Sequence, residues 1–382
     1  MAKDIAPDQP VRTDYAAPTS VDEALDWLQL LRSPRIGPVT FHKLLSEHGT
    51  ARAAMEALPQ VTASAGLKDY QLIPRDRVER EYAAGRKKGA RLAAFGGALY
   101  SPVLAEIEDA PPLLWCLGDL DFLKRPCLAL VGARNASALG QRLARAFAKG
   151  VGTEGLLTVS GLARGIDTAV HDASLETGTI AVVAGGVDVI YPQENLKLYK
   201  QIAQKGLIVS EQPMGMQPQA RHFPRRNRLI SGLSRAVVVV EAAIKSGSLL
   251  TARDAADQGR EVMAAPGHPF DGRAAGCNQL LREGATLVRN AEDILLALPP
   301  SLPQGLLPLE PPETAPPMPQ KTPPMDELRG RILAHLGAAP LPEDQVIRAL
   351  GLPAAPVNAA LVELEMSGTI TRAPGGFLSL RG

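Results

Sequence analysis

From Cys127 to Val288 the chain alternates short, nearly unbroken aliphatic runs with longer amphipathic stretches, and this alternation constrains the fold more than any other feature. The runs are Cys127 to Val131, Leu156 to Ser160, Thr179 to Ala184, Gly206 to Ser210, Ala236 to Glu241, Glu261 to Ala265 and Ala285 to Val288. Each is too short for a stable helix and apolar at consecutive positions, which suits a strand buried on both faces. Helical stretches such as Leu139 to Thr153, Asn195 to Gln204 and Leu249 to Gln258 lie between the runs and supply the cover. The expected fold class is α/β: a doubly wound, Rossmann-like parallel sheet.

The flanks read differently. Residues 21–97 are expected to form a helical domain, with apolar residues at helical spacing (Ala24, Leu25, Trp27, Leu28, Leu30, Leu31), a turn at Pro34 to Pro38 and a second helix from Val39 to Glu47. Helix, glycine-bearing turn and helix resemble a helix-hairpin-helix or SAM-like module, but with one glycine where two are common a plain helical packing module is favoured. Residues 1–20 are polar and proline-punctuated, and are read as a disordered tail with no apolar run to act as a signal peptide. Residues 299–325 hold 11 prolines in 27 positions, which neither helix nor central strand tolerates, so the segment is read as a linker closing a domain over residues 98–298. Beyond it, over residues 326–382, helices at Met325 to Gly337, Pro342 to Leu350 and Ala355 to Gly368 precede a hairpin, Thr369 to Arg372 with Phe377 to Leu380 around Pro374-Gly375-Gly376. That pattern resembles a winged helix. Its third helix carries Glu363 and Glu365 and no Lys or Arg, which favours a protein contact or an auxiliary role over groove reading.

At 382 residues the chain exceeds one hydrophobic core. Its three cysteines, Cys116, Cys127 and Cys277, fit no metal-ligand or redox spacing and suit a reducing compartment, so a cytoplasmic location with no membrane span is expected, and no metal or cofactor. A net charge of +1 speaks against a nucleic-acid partner until its distribution is considered. Between Glu211 and Glu241 no acidic residue occurs, whereas Arg221, His222, Arg225, Arg226, Arg228 and Arg235 all fall inside that interval.

Ligands of doubly wound sheets sit outside the carboxyl ends of the strands. Those ends carry Val131-Gly132-Ala133-Arg134-Asn135-Ala136-Ser137; Ser160-Gly161-Leu162-Ala163-Arg164-Gly165-Ile166-Asp167, whose loop amides are expected to favour an anion; and Glu241-Ala242-Ala243-Ile244-Lys245-Ser246-Gly247-Ser248. Any one loop is a tight turn on its own, but three beside an arginine cluster point to a phosphate-bearing ligand. Neither G-x-G-x-x-G after the first strand nor G-x-x-x-x-G-K-[ST] is present, so dinucleotide and triphosphate sites of the familiar kind are unsupported. In Arg221-His222-Phe223-Pro224-Arg225-Arg226-Asn227-Arg228, arginines can hold phosphates while Phe223 offers a base-stacking platform, which suits single strands. A helix cannot aim Arg225, Arg226 and Arg228 at one spot, so at least one of them is expected to be structural.

The ordered blocks Val131-Gly132-Ala133-Arg134, Ser160 to Asp167, Gly185-Gly186-Val187-Asp188 with Tyr191-Pro192-Gln193-Glu194-Asn195, Phe223 to Arg228, Glu241-Ala242 with Ser246 to Ala252, and Ala265-Pro266-Gly267 resemble the DprA/Smf (DNA-processing protein A) family over roughly residues 100 to 295. The resemblance implies a homodimeric, non-enzymatic protein. Such a protein binds single-stranded DNA taken up in natural transformation (competence), protects it and helps load the RecA recombinase for homologous recombination. Carried onto this sequence, the DNA-binding residues are Arg134, Gly161, Arg164, Gly165, Arg221, Phe223, Arg225, Arg226, Asn227, Arg228, Lys245, Ser246, Gly247 and Ser248. Ala133 stands where serine is frequent in the family, and Ala220 near a place where some members carry lysine.

Two rivals remain. A LOG-like nucleotide phosphoribohydrolase shares the Rossmann variant but needs a carboxylate after its glycine turn, where this chain reads Gly247-Ser248-Leu249-Leu250-Thr251-Ala252. Asp167 and Asp188 are as readily caps or turn residues, and His171 without a paired acid reads as a core or surface histidine. A transcription factor acting through the winged helix is disfavoured by its acidic third helix. Charge reversal at Arg134 or Arg226 is expected to weaken single-strand binding and leave the fold intact.

Overall fold

A computed structural model of the chain describes residues 15–64, 70–298, 323–336, 341–352, 354–373 and 377–380. Its contacts divide it into two compact units, Met1–Ser301 and Leu302–Gly382. The first opens with four helices, α1 (Val21–Arg32), α2 (Pro38–His48), α3 (Ala51–Ser64) and α4 (Arg75–Lys87). Ser20 and Glu23 form a capping box that starts α1, each satisfying a backbone donor of the other. Then follow β1 (Arg91–Ala94), β2 (Leu113–Gly118) and β3 (Cys127–Gly132), and after them α5 (Ala138–Thr153), β4 (Leu157–Ser160), α6 (Ile166–Ser174), β5 (Thr179–Val182), α7 (Leu196–Lys205) and β6 (Leu207–Ser210). The unit closes with α8 (His222–Gly232), β7 (Ala236–Glu241), α9 (Ser248–Asp257), β8 (Glu261–Ala264), α10 (Ala275–Arg282), β9 (Thr286–Leu287) and α11 (Ala291–Ala297).

The nine strands make one sheet in the order β1-β2-β6-β5-β4-β3-β7-β8-β9. From β6 across to β9 every pair is parallel, as the aliphatic runs imply. The edge differs: β2 runs antiparallel to β6, and β1 antiparallel to β2. The sheet is therefore mixed rather than wholly parallel, and the helical stretch expected to reach Gly97 stops at Lys87 because residues 91–94 pair as the edge strand. Strand alternation sorts β3 onto two cores. Cys127, Ala129 and Val131 face one that includes Leu229 and Ile230 of α8, Leu233 just beyond it, and Ala252 and Ala255 of α9. Leu128 and Leu130 face the other, with Phe147 and Val151 of α5 and Ile166 and Val170 of α6. Each such side chain removed from water stabilises the fold by about 1.5–3 kcal/mol.

Among the described residues the N-terminal helices share their buried core with this sheet. Trp27, Leu28, Phe41 and Leu45 belong to the same buried cluster as the α8 face of the strands. Residues 15–20 are not a loose tail either: the Tyr15 ring packs on Trp27, His42 and Phe95, and its hydroxyl meets Nδ1 of His42. Residues 1–14 of the expected tail lie outside the described residues, as do 299–322 of the expected linker, Gly337 and the 374–376 turn.

The second unit is a winged helix: α12 (Met325–His335), β10 (Leu341–Pro342), α13 (Glu343–Leu350), α14 (Ala354–Met366), β11 (Ile370–Ala373) and β12 (Phe377–Leu380). Its three-stranded sheet has the order β10-β12-β11, the short β10 being a partner that sequence pattern did not mark. Leu328, Ile332, Val357, Leu361 and Leu378 are its buried centre.

What positions a site is the topology of the first unit. The chain steps outward from β3 through β4 and β5 to β6, then returns to lay β7 on the other side of β3 and steps outward again to β9. Between β3 and β7 the direction of winding reverses, and the loops leaving their carboxyl ends diverge to opposite faces and open a crevice.

Candidate nucleic-acid interface

Three loops and one helix meet at that crevice. The β3–α5 loop is held at both ends by residue 241: Ala133 N donates to the Glu241 carbonyl (2.7 Å), and Ser137 N donates to Glu241 Oε1 (2.9 Å). The Ser137 hydroxyl donates to Oε2 of the same carboxylate and accepts from Gly140 N (2.9 Å), capping α5. Between these anchors Arg134 projects into solvent with its guanidinium 5.0 Å from the centroid of the Phe223 ring, a cation–ring contact.

The β4–α6 loop is held from inside by Asp167, whose Oδ2 accepts from Gly161 N (3.1 Å) and Ala163 N (3.2 Å). Asn195 Nδ2 donates to the Leu162 carbonyl (2.9 Å), and Ile166 N to the Ala133 carbonyl (3.2 Å), which ties this loop to the first. Gly165 takes a positive φ of 80° with Ala133 and Arg134 backbone against its Cα, which a side chain could not share. The expectation that this loop offers anion-binding amides is narrowed: Asp167 takes the Gly161 and Ala163 amides, and Glu241 takes the Ser137 amide at the start of α5. The third loop is closed on itself, with Ser246 N donating to Ala243 O (2.9 Å) and the hydroxyls of Ser246 and Ser248 paired at 2.7 Å.

Helix α8 supplies side chains to the cleft unequally. Phe223 is half-buried, and Arg221, Pro224 and Arg225 lie exposed on the outer face, where neither arginine lines the cleft. Arg226 is only 6% exposed: Nη1 donates to the Val182 carbonyl (2.6 Å), and the guanidinium lies directly under Gly161, where any Cβ would collide with it. Burial lowers its pKa to about 10, opposed by the nearby Asp167, and burial likewise raises that of Asp167. Arg226 thus stays charged at neutral pH as an internal counter-ion, and reversing its charge is expected to disturb the fold rather than leave it intact. Arg228 leaves the site altogether. Its Nε pairs with Asp109 Oδ2 (3.1 Å), its Nη2 with Glu211 Oε2 (2.5 Å), and its Nη1 donates to the Asp109 carbonyl (2.9 Å). One of the arginines is structural, as helix geometry requires, and a second is largely so.

The residues brought together are Arg134, Phe223, Arg226, Asn227, Lys245 and the Ser246–Ser248 turn, around a cleft of about 680 Å³. Asn227 Nδ2 donates to the Gly247 carbonyl (3.3 Å), fastening α8 to the third loop. Among the described residues no carboxylate pairs with Arg134 or Lys245. Arg134 and Phe223 also wall a smaller adjoining hollow with Gly161, Arg164, Gly185 and Tyr191. There Arg164 makes only a long, solvated approach to Glu194 (3.6 Å). Tyr191, half exposed with its ring 5.8 Å from that of Phe223, was not singled out from sequence; its signal was the Tyr-Pro dipeptide within a recognised block. His171 is fully buried, with Nδ1 at 2.7 Å from Thr179 Oγ1, and burial lowers its pKa to about 3, so it is a core residue. Asp188 is a turn residue accepting from Gly215 N (2.8 Å). The described residues hold no cluster that could ligate a metal ion, and no described helix is long and apolar enough to cross a membrane.

Comparison with known proteins bears on what this cleft receives. Residues 91–299 match the model of the DNA recombination-mediator protein A family, residues 21–84 that of a DprA-like N-terminal HHH domain, and residues 316–376 that of a DprA winged helix domain. The second match corrects the plain packing module favoured from one glycine. The chain is 39% identical to Protein Smf of Escherichia coli (strain K12) over 81% of its own length and 82% of that protein. The X-ray structure of DNA processing protein A from Streptococcus pneumoniae superposes with a TM-score of 0.57 at 36% identity, covering 72% of this chain and 93% of that one. The Helicobacter pylori DNA processing protein A, described for its single-stranded DNA binding mode, superposes with a TM-score of 0.50 at 30% identity, over 55% of this chain and 95% of that one.

Proposed function

The chain belongs to the DprA/Smf family of DNA recombination-mediator proteins, and from that premise we propose that it binds single-stranded DNA in the β3/β7 cleft without performing chemistry on it. The observation that carries this reading is the Arg134–Phe223 pair at the crevice mouth, with Lys245 on the opposite loop. A cation lying on a ring presents a charge for phosphate and an aromatic face for a base, a combination matched by unpaired polynucleotide and wasted on a duplex. The contacting residues are Arg134, Arg164, Phe223, Lys245 and Ser246–Ser248; Gly161, Gly165, Arg226 and Asn227 shape the floor, and the exposed Arg221 and Arg225 extend the basic approach.

The Helicobacter pylori relative is described by its single-stranded DNA binding, which supports the same ligand here. In the cell this activity serves DNA taken up in natural transformation: the protein protects the strand and helps RecA load onto it for recombination. It does so in the cytoplasm as a homodimer. The exposed Ile244 and Leu250, with Leu249, Val262 and Leu280, border a groove of mixed apolar and charged lining next to the cleft that a second copy would cover.

Fluorescence anisotropy with labelled oligothymidine and with duplex of equal length, at two salt concentrations, tests the central claim. The expected result is salt-sensitive binding of the single strand and at least tenfold weaker binding of the duplex. Equal affinity for both, or release of free base from a nucleoside monophosphate, would refute it.

A further inference from the structure

The start of α5, the first helix after the central strand, is the place where a sheet of this topology most readily accepts a phosphate. Here it already holds an anion. Glu241, at the end of β7 and 8% exposed, reaches across the crevice so that Ser137 N and the Ser137 hydroxyl both donate to its carboxylate. Its main-chain carbonyl meanwhile accepts from Ala133 N at 2.7 Å. One residue therefore clamps both sides of Arg134, through its backbone before and its side chain after. Gly140 completes the arrangement: a Cβ at that position would stand 2.5 Å from Glu241 Oε2 and 2.9 Å from its carboxyl carbon. The first turn of α5 lacks a side chain where the carboxylate rests.

We propose that Glu241 is a positioning residue for nucleic-acid binding. Its carboxylate acts as the resident anion of the α5 start and fixes the loop that aims Arg134 at Phe223. Because the helix start is filled, polynucleotide phosphate sits on Arg134 at the rim. The inference rests on the single-strand reading of the cleft and adds to it a residue that touches no DNA.

The test is a double-mutant cycle in the full-length protein, read by anisotropy with oligothymidine over a salt series. Arg134→Ala is expected to weaken binding by about tenfold, the loss of one charge-assisted phosphate contact. Glu241→Ala is expected to cost about as much and to reduce the salt slope by the same step, about 0.7 for one phosphate on a single strand. The double variant is expected to bind no worse than Arg134→Ala alone. Should Glu241→Ala fold poorly, Gly140→Ala provides the second arm, since alanine favours the helix, alters no DNA-contacting side chain and crowds chiefly the carboxylate, with the Ser137 hydroxyl next at 3.3 Å. It is expected to weaken binding in the parent and to have no effect in an Arg134→Ala background. Losses that multiply, with an unchanged salt slope in Glu241→Ala or Gly140→Ala, overturn the positioning role while leaving single-strand binding intact. A parent chain that ignores oligothymidine overturns both.

Discussion

At the residue scale the arginines around the cleft separate by what faces them, and the separation predicts unlike phenotypes. Arg134→Glu removes an exposed cation from the ring of Phe223, so the melting temperature is expected to stay within a degree or two while single-strand affinity falls tenfold or more. Arg226→Ala strips the counter-ion from Asp167 and the donor from Val182 O; the expected loss is about 3–5 kcal/mol of stability, read by urea denaturation. If Arg226→Ala denatures like the parent yet loses DNA, the guanidinium is a contact residue and not a strut. His171 makes a second case. Its pKa, held near 3 by burial, lies below the ordinary 6.5 of the unfolded chain, so between those values the unfolded state binds the extra proton. Stability due to neutral His171 is fully present above pH 6.5 and is lost as pH falls, by up to about 1.4 kcal/mol per unit. His171→Gln should flatten the decline measured between pH 7 and 5; an unchanged slope would place the acid sensitivity in other groups.

At the scale of elements the loops depend on contacts made far along the chain. Gly161 illustrates the dependence, because Arg226, sixty-five residues later, occupies the space its side chain would need. Gly161→Ala is expected to cost about 1–3 kcal/mol as the β4–α6 loop lifts off the guanidinium, and to weaken oligothymidine binding with it. Retention of both properties would mean that the loop yields without cost. This explains what sequence could and could not reveal. The strands β3 to β9 were legible within two residues because β-branched runs announce burial on both faces. The edge strand β1, Arg-Leu-Ala-Ala, has no such run, and its antiparallel pairing leaves no local mark. The cleft residues were legible as residue types beside glycines. Their roles were not, since Asp167 folding back on Gly161 and Glu241 returning to Ser137 are tertiary facts that turn anion-binding amides into satisfied ones. The helical phase of α8 was the part that could be reasoned forward: it required that Arg225, Arg226 and Arg228 diverge, and they do.

At the scale of the whole molecule the net charge of +1 hides the localisation of the cations, and the two units can be weighed by charge alone. Residues 325–382 carry six acidic and five basic side chains, and in α14 Glu363 is paired with Arg329, so by charge balance this segment has no excess of cations to set against the cleft. Single-strand affinity is therefore expected to reside in the first unit. For an oligothymidine short enough to fill one cleft, Arg134, Arg164 and Lys245 neutralise about three phosphates, which gives a log–log salt slope of about −2 at roughly 0.7 per phosphate. A chain ending at Ser301 should keep that slope and an affinity within about twofold of the full-length protein. If truncation instead lowers the slope by a unit or more, the winged helix contributes phosphate contacts of its own, from cations that pair with nothing in α14.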